Sequence, residues 1–328
     1  MFDFTHVKGA SDHRGGTAGR TPGRRADRRR AGAFVAVAAL AGGLLAAVAA
    51  GPVAQAKVLG DWRAPTLVAG VNSGATEGCP IEAPDASALY LMSTRDGGDQ
   101  DIWLAPRLQD GTFGEPQILP DPVNSAANDF CPTPLRGKSL LFVSNRGGTD
   151  AYGTVACGGG DLYLTRLDPS TGTWTPARNL GCTGNGGPNG PGTEFGPSVV
   201  ETAEGTFLYF SSGGALGTGT QDVYVSREVA PGSFGAPSVV ASLSSAADDV
   251  MPNVRKDGLE VVFASNRPGG EGMFDIWTAT RPDTGSAWST PTVLATVSTP
   301  ASDTRPSLSW DGTRLYFGSA GDIHVSHR

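Results

Sequence analysis

Asp249-Val250-Met251-Pro252, then Asp257-Gly258, Val261-Val262-Phe263, Ser265-Asn266-Arg267 and Asp275-Ile276-Trp277, is the stretch whose reading decides the fold. Its short apolar runs read as half-buried strands. Asp257-Gly258 between the first two is a hairpin signal, because glycine accepts a positive φ. The same order of residues recurs four more times. Downstream stand Asp303-Thr304-Arg305-Pro306, Asp311-Gly312, Leu315-Tyr316-Phe317, Ser319 and Asp322-Ile323. Upstream stand Glu194-Phe195-Gly196-Pro197, Phe207-Leu208-Tyr209-Phe210, Ser211 and Asp222-Val223-Tyr224. Before that come Asp129-Phe130-Cys131-Pro132, Ser144-Asn145-Arg146 and Asp161-Leu162-Tyr163. The first copy holds Glu77-Gly78-Cys79-Pro80, Ser93-Thr94-Arg95 and Asp101-Ile102-Trp103.

Each full unit closes on an aromatic residue and a proline: Phe113 and Pro116, Trp174 and Pro176, Phe234 and Pro237, Trp288 and Pro291. A period of roughly 54 residues carrying four short strands is one propeller blade. The expected fold is therefore all-β: a five-bladed β-propeller of four-stranded antiparallel blades. The fifth unit stops after its third strand, at Arg328. Its missing strand has a match near the other end, where Trp62, Pro65, Leu67-Val68 and Val71-Asn72-Ser73 parallel Phe113, Pro116, Ile118-Leu119 and Val123-Asn124-Ser125. An N-terminal strand that completes the last blade closes the ring and removes two exposed sheet edges.

The residues ahead of the repeats are of another kind. Residues 1–30 are polar and basic and end in Arg28-Arg29-Arg30. An Ala-, Val- and Leu-rich run follows, ending in Ala54-Gln55-Ala56. A basic region, an apolar run and a small-x-small site form an export signal. Residues 1–56 are therefore expected to be cleaved, by the Sec or the twin-arginine route, and residues 57–328 to be a single propeller domain. The expected location is secreted or periplasmic, with no transmembrane segment after cleavage. Residues 1–56 hold eight of the 25 basic and three of the 32 acidic residues, which leaves 17 against 29 and a net charge of about −12. That balance argues against nucleic acid or an anionic membrane surface as partner.

Four cysteines in an exported chain imply two disulfides. Three pairings exist, and the repeats favour one. Cys79 and Cys131 hold the same place in adjacent blades, close to the narrow axis. Cys157 and Cys182 lie in two loops of the second blade, residues 147–160 and 181–192, which its siblings lack. Zinc is the weaker alternative, since no C-x-x-C spacing occurs.

These motifs resemble the TolB-like, WD40-like (PD40) propeller repeat over nearly all of residues 57–328. The resemblance implies an exported protein that binds partners, though not TolB itself, whose additional α/β domain has no counterpart here. The repeat also nominates a site. Glu77, Asp129, Glu194, Asp249 and Asp303 each open a unit, so they should ring the channel mouth. Such a ring would bind a divalent cation such as calcium, or floor a ligand pocket. The competing reading makes each acid a fastener of its own blade. Asp101, Asp161, Asp222, Asp275 and Asp322 are expected in turns, Arg95, Arg146 and Arg267 in pairs with nearby acids, and Trp103 and Trp277 in the core. The stapled loops of the second blade are expected to form part of the ligand surface.

The expected function is a non-catalytic, monomeric scaffold that binds a protein or glycan in the cell envelope or outside the cell, without a cofactor. The alternative is a glycosidase using axial carboxylates. Beyond residue 56 the histidines are His324 and His327, too few for a three-histidine metal centre, and no G-x-S-x-G elbow occurs.

Overall fold

The computed structural model describes residues 59–213 and 219–328, so the expected export signal, residues 1–56, lies outside the described residues. The described chain forms five antiparallel sheets arranged as blades. Their inner strands are Glu77–Glu82, Asp129–Leu135, Glu194–Thr202, Asp249–Val254 and Asp303–Leu308. Each inner strand packs beside the inner strands of the two neighbouring blades, and the fifth returns to the first. Second strands (Ala88–Ser93, Ser139–Ser144, Gly205–Ser212, Glu260–Ser265, Arg314–Ser319) and third strands beginning at Asp101, Asp161, Asp222, Asp275 and Asp322 follow outward.

Outer strands are short, such as Gln117–Ile118 and Thr292–Val293. Pro116 and Pro291 stand just before them. Proline has no N–H for a ladder and is tolerated at an edge. In the second and third blades the edge is split, with Thr173–Trp174 and Arg178–Asn179 on one, Ser233–Phe234 and Ser238–Val239 on the other.

The ring closes as the sequence predicts. Thr66–Leu67 pairs with Asp322–His327, placing Thr66 opposite Val325 and Leu67 opposite His324. The expected hairpin glycines Gly258 and Gly312 have φ of 75° and 72°. The core lies between blades. Leu140, Phe142 and Tyr163 meet Ile102 and Val123, while Phe263, Val261 and Trp277 meet Val200 and Tyr209. Among the described residues, no helix is long and apolar enough to cross a membrane.

Candidate functional site

Each blade-to-blade connection is held by one repeated fastener. In the first blade, the Glu77 carboxylate accepts the Ser73 N–H at 2.9 Å and the Ser73 and Ser93 hydroxyls at 2.6 and 2.9 Å. Arg95 pairs with it at 3.1 Å and also donates to the Val71 carbonyl at 2.5 Å. Asn72, one residue before Ser73, clasps Ile323 of the fifth blade through both its N–H and its carbonyl. The N-terminal strand is thus locked by the same device that joins the other blades. Asp129 repeats it with Ser125 and Arg146, and Asp249 with Ser245, Ser265 and Arg267.

Two fasteners lack the arginine, because the residue two places after the second-strand serine is Gly214 following Ser212 and Gly321 following Ser319. Glu194 accepts the Gly190 N–H and the Ser212 hydroxyl, both at 2.9 Å, and among the described residues its Oε2 has no partner. Burial, with the Asp161 charge nearby, pushes its pKa up to about 8. Asp303 accepts from the Thr299 N–H and hydroxyl, and burial raises its pKa as well.

All five predicted acids therefore open the inner strands around one end of the channel, and all five are buried. Each is bonded to its own connection. Among the described residues, no group of three or more His, Cys, Asp or Glu side chains is placed to hold a metal ion.

The channel is instead faced two residues further on. The inner strands bulge between Gly78 and Ile81, Phe130 and Thr133, Phe195 and Ser198, Val250 and Asn253, and Thr304 and Ser307. At each bulge the third residue takes a positive φ: Cys79 49°, Cys131 48°, Gly196 57°, Met251 54° and Arg305 49°. These five positions converge on the axis. Cys79 and Cys131 form a disulfide across adjacent blades. Met251, Arg305 and that disulfide share a cavity of about 250 Å³ with Met92, Phe130 and Phe195. A Cβ on Gly196 would lie 2.5 Å from the Met251 Cα and 2.9 Å from the Arg305 Nη1, so only glycine fits there.

Arg305 is a crossbar. From the fifth blade it reaches the second and third, where Nη2 donates to the Thr133 Oγ1 at 3.0 Å and the Pro197 carbonyl at 3.1 Å. It is 1% exposed. Among the described residues, its Nε and Nη1 have no partner and no carboxylate pairs with it. Burial lowers its pKa to about 9, which leaves it charged at neutral pH.

The opposite mouth is also cationic. The Arg136 guanidinium and the Lys256 ammonium lie 4.7 and 4.9 Å from the centre of the Trp310 ring. Lys256 donates to the Val199 carbonyl at 2.9 Å, and burial brings its pKa down to about 8. A second cavity, about 290 Å³, runs outward from there along Leu164 and Phe234, with Glu201 and Glu228 in its walls.

Three of the third-strand aspartates, both tryptophans and both cysteine pairs stand where expected. Both favoured disulfides are formed, Cys79–Cys131 and Cys157–Cys182. Asp161, Asp222 and Asp275 accept turn N–H groups from Cys157, Gly219 and Gly272. Trp277 is buried in a core cluster, and Trp103 packs against another. The stapled loop contains one surprise. Asn189 is fully buried and clasps Leu162 as Asn72 clasps Ile323. The insertion disguises it, yet its distance from the acid is constant: Asn72, Asn124, Asn189, Ser244 and Ser298 each lie five residues before their acid. The polar side chains that reach across between blades at Glu82 were not legible either. Its buried carboxylate pairs with Arg107 at 2.6 Å and with Arg314 of the fifth blade at 2.9 Å.

No protein-family model matches the chain, and no curated protein matches it. Solved structures do. TolB from Acinetobacter baumannii is 17% identical, with 78% of this chain covered and a TM-score of 0.43. This chain spans 55% of that protein's length. An α-L-arabinofuranosidase from Lactobacillus brevis is 13% identical, with 77% and 90% of the two chains covered and a TM-score of 0.47. A gluconolactonase from Xanthomonas campestris is 14% identical, covering 82% and 90%, with a TM-score of 0.44. These likenesses carry no activity across to this chain.

Proposed function

We propose that this chain is a binding propeller that works outside the cytoplasm and holds a protein or glycan partner at one end of its channel. One observation carries the reading. The repeated carboxylates are bonded into the blade connections, while the channel-facing third position differs from blade to blade: Cys79, Cys131, Gly196, Met251 and Arg305. Repetition maintains the scaffold, and variation at a fixed geometry presents chemistry to a ligand. Two disulfides favour an oxidising compartment.

Glycosidic cleavage needs two carboxyl groups directed at one bond, one able to give a proton. The axial acids face their own connections instead, which places binding ahead of hydrolysis. No cofactor is needed for this reading. The test is to incubate the purified protein with polysaccharides and proteins from the producing cell's envelope and culture fluid. Retention without release of new reducing ends supports the proposal. Turnover of any polysaccharide, abolished by Asp303→Asn, refutes it in favour of the glycosidase. The stapled loop is best probed by deleting residues 183–186 alone, since a longer deletion removes the fastener Asn189.

A further inference from the structure

Around the mouth opposite the acids, three cavities adjoin along shared walls. A cleft of about 360 Å³ lies between the first and second blades, lined by Tyr90, Trp174, Leu167 and the turn that includes Arg136 and Lys138. The cavity of about 290 Å³ between the second and third blades shares Leu135, Arg136 and Ser139 with it. Trp310 borders that cavity and also a smaller one beside Arg255 and Asp311. The two larger cavities are each close to the ~300 Å³ at which small-ligand sites begin. Adjoining spaces of that size suit a chain of similar units better than one compact molecule.

The walls narrow the kind of unit. Tyr90 and Trp174 both pack on the core cluster that holds Phe142 and Tyr163, so their rings are fixed in place. Their polar tips remain available. Among the described residues, the Tyr90 hydroxyl and the Trp174 Nε1 have no partner, and neither atom is fully buried. Arg136 is exposed and makes no hydrogen bond or ion pair among the described residues; its guanidinium rests on the Trp310 ring at 4.7 Å. Asp85 and Glu228 each use one carboxylate oxygen, on Ser87 and on the Gly232 N–H, and keep the other.

Charge decides between kinds of chain. Arg136, Lys138 and Lys256 line the two larger cavities, but so do Asp85, Glu201 and Glu228. A polyanion would pass three carboxylates, and a polycation three cations. A neutral polyol finds partners in both sets, because every hydroxyl can donate and accept. A pyranose ring also has a face of C–H groups that lies flat on an aromatic ring, with hydroxyls at its rim to meet a phenol or indole tip.

We propose that these adjoining grooves bind a neutral glycan, one uncharged sugar ring lying against Tyr90 and Trp174 and the chain continuing past Arg136 and Trp310 into the second cavity. The site is at the other mouth from the third-position residues and does not rest on what they hold.

The test is calorimetric titration of the purified protein with cellohexaose, maltohexaose, xylohexaose and mannohexaose, beside hexagalacturonate, hexaglucosamine and hexaproline. At least one neutral hexamer should bind, about tenfold or more tighter than its own disaccharide. Its affinity should be the same in low and in molar salt, because no charge is neutralised. Trp174→Ala should weaken it about tenfold or more. Tyr90→Phe keeps the ring and its packing, and should weaken it about threefold or more through the lost hydroxyl. Met273→Ala, an exposed residue at the acid end of the fourth blade, should bind as wild type does. Binding by none of the four neutral hexamers overturns the proposal, as does tighter binding of hexagalacturonate, hexaglucosamine or hexaproline. Full affinity in the Tyr90→Phe protein and in a folded Trp174→Ala protein overturns it as well.

Discussion

Glu194→Gln should make the protein's stability less dependent on pH. Glu194 is fully buried, has no arginine, and holds its proton to a pKa of about 8 against 4.5 when unperturbed. Between those values the native state keeps a proton that the unfolded state has released, so stability falls as pH rises. The slope approaches ~1.4 kcal/mol per pH unit, and the whole window is worth up to ~5 kcal/mol. Glutamine keeps an Oε1 to accept from Gly190 and Ser212. It replaces the unpartnered Oε2 with a donor near Asp161, whose Oδ1 is likewise unpartnered. Urea unfolding of both proteins at pH 5, 6, 7 and 8 measures the effect. Asp101, raised to about 6, and Asp303 act in the same direction in both proteins and cancel in the difference. The variant should gain on wild type steadily with pH and be the more stable at pH 8. Parallel stability curves would refute the reasoning.

The other fasteners give different outcomes. Arg267→Met leaves Asp249 buried without its cation and should cost about 3–5 kcal/mol in urea unfolding, partly recovered in the double variant with Asp249→Asn. Asn72→Ala frees the Ile323 N–H at the closing strand and should cost about 1–3 kcal/mol, with hydrogen exchange rising first in residues 322–327. Gly196→Ala forces a Cβ against the Met251 backbone and should lower the melting temperature more than Gly137→Ala, which meets open space at a similar φ.

The scaffold was legible because it is written five times. The acid, the proline, the second-strand serine and the third-strand aspartate recur at the same place in every blade, so their spacing survives in the chain. Ring closure was legible for the same reason, since Asn72 and Ser73 repeat Asn124 and Ser125 although they sit at the far end of the sequence. The site was hidden by the converse. The channel-facing position is the one that does not repeat, so a search for repeated residues passes over it. Its left-handed backbone leaves a trace only at Gly196. The isolation of Arg305 is a tertiary fact: the nearest acid in sequence, Asp303, points elsewhere, and the acceptors come from Thr133 and Pro197 in blades two and three units away. The acidic ring attracted notice because five like charges on one circle look functional. Burial and the three arginines show that the blades themselves consume them.

The central claim divides the inner strands into acids that fasten and third residues that bind. Its most direct measurement is capture of the partner from culture fluid and envelope extract by wild type, by Asp303→Asn and by Met251→Ala/Arg305→Met, at equal folded fraction. The account predicts retention by Asp303→Asn and loss by the third-position variant. Loss with Asp303→Asn and retention by the third-position variant would contradict it and return the site to the acidic ring.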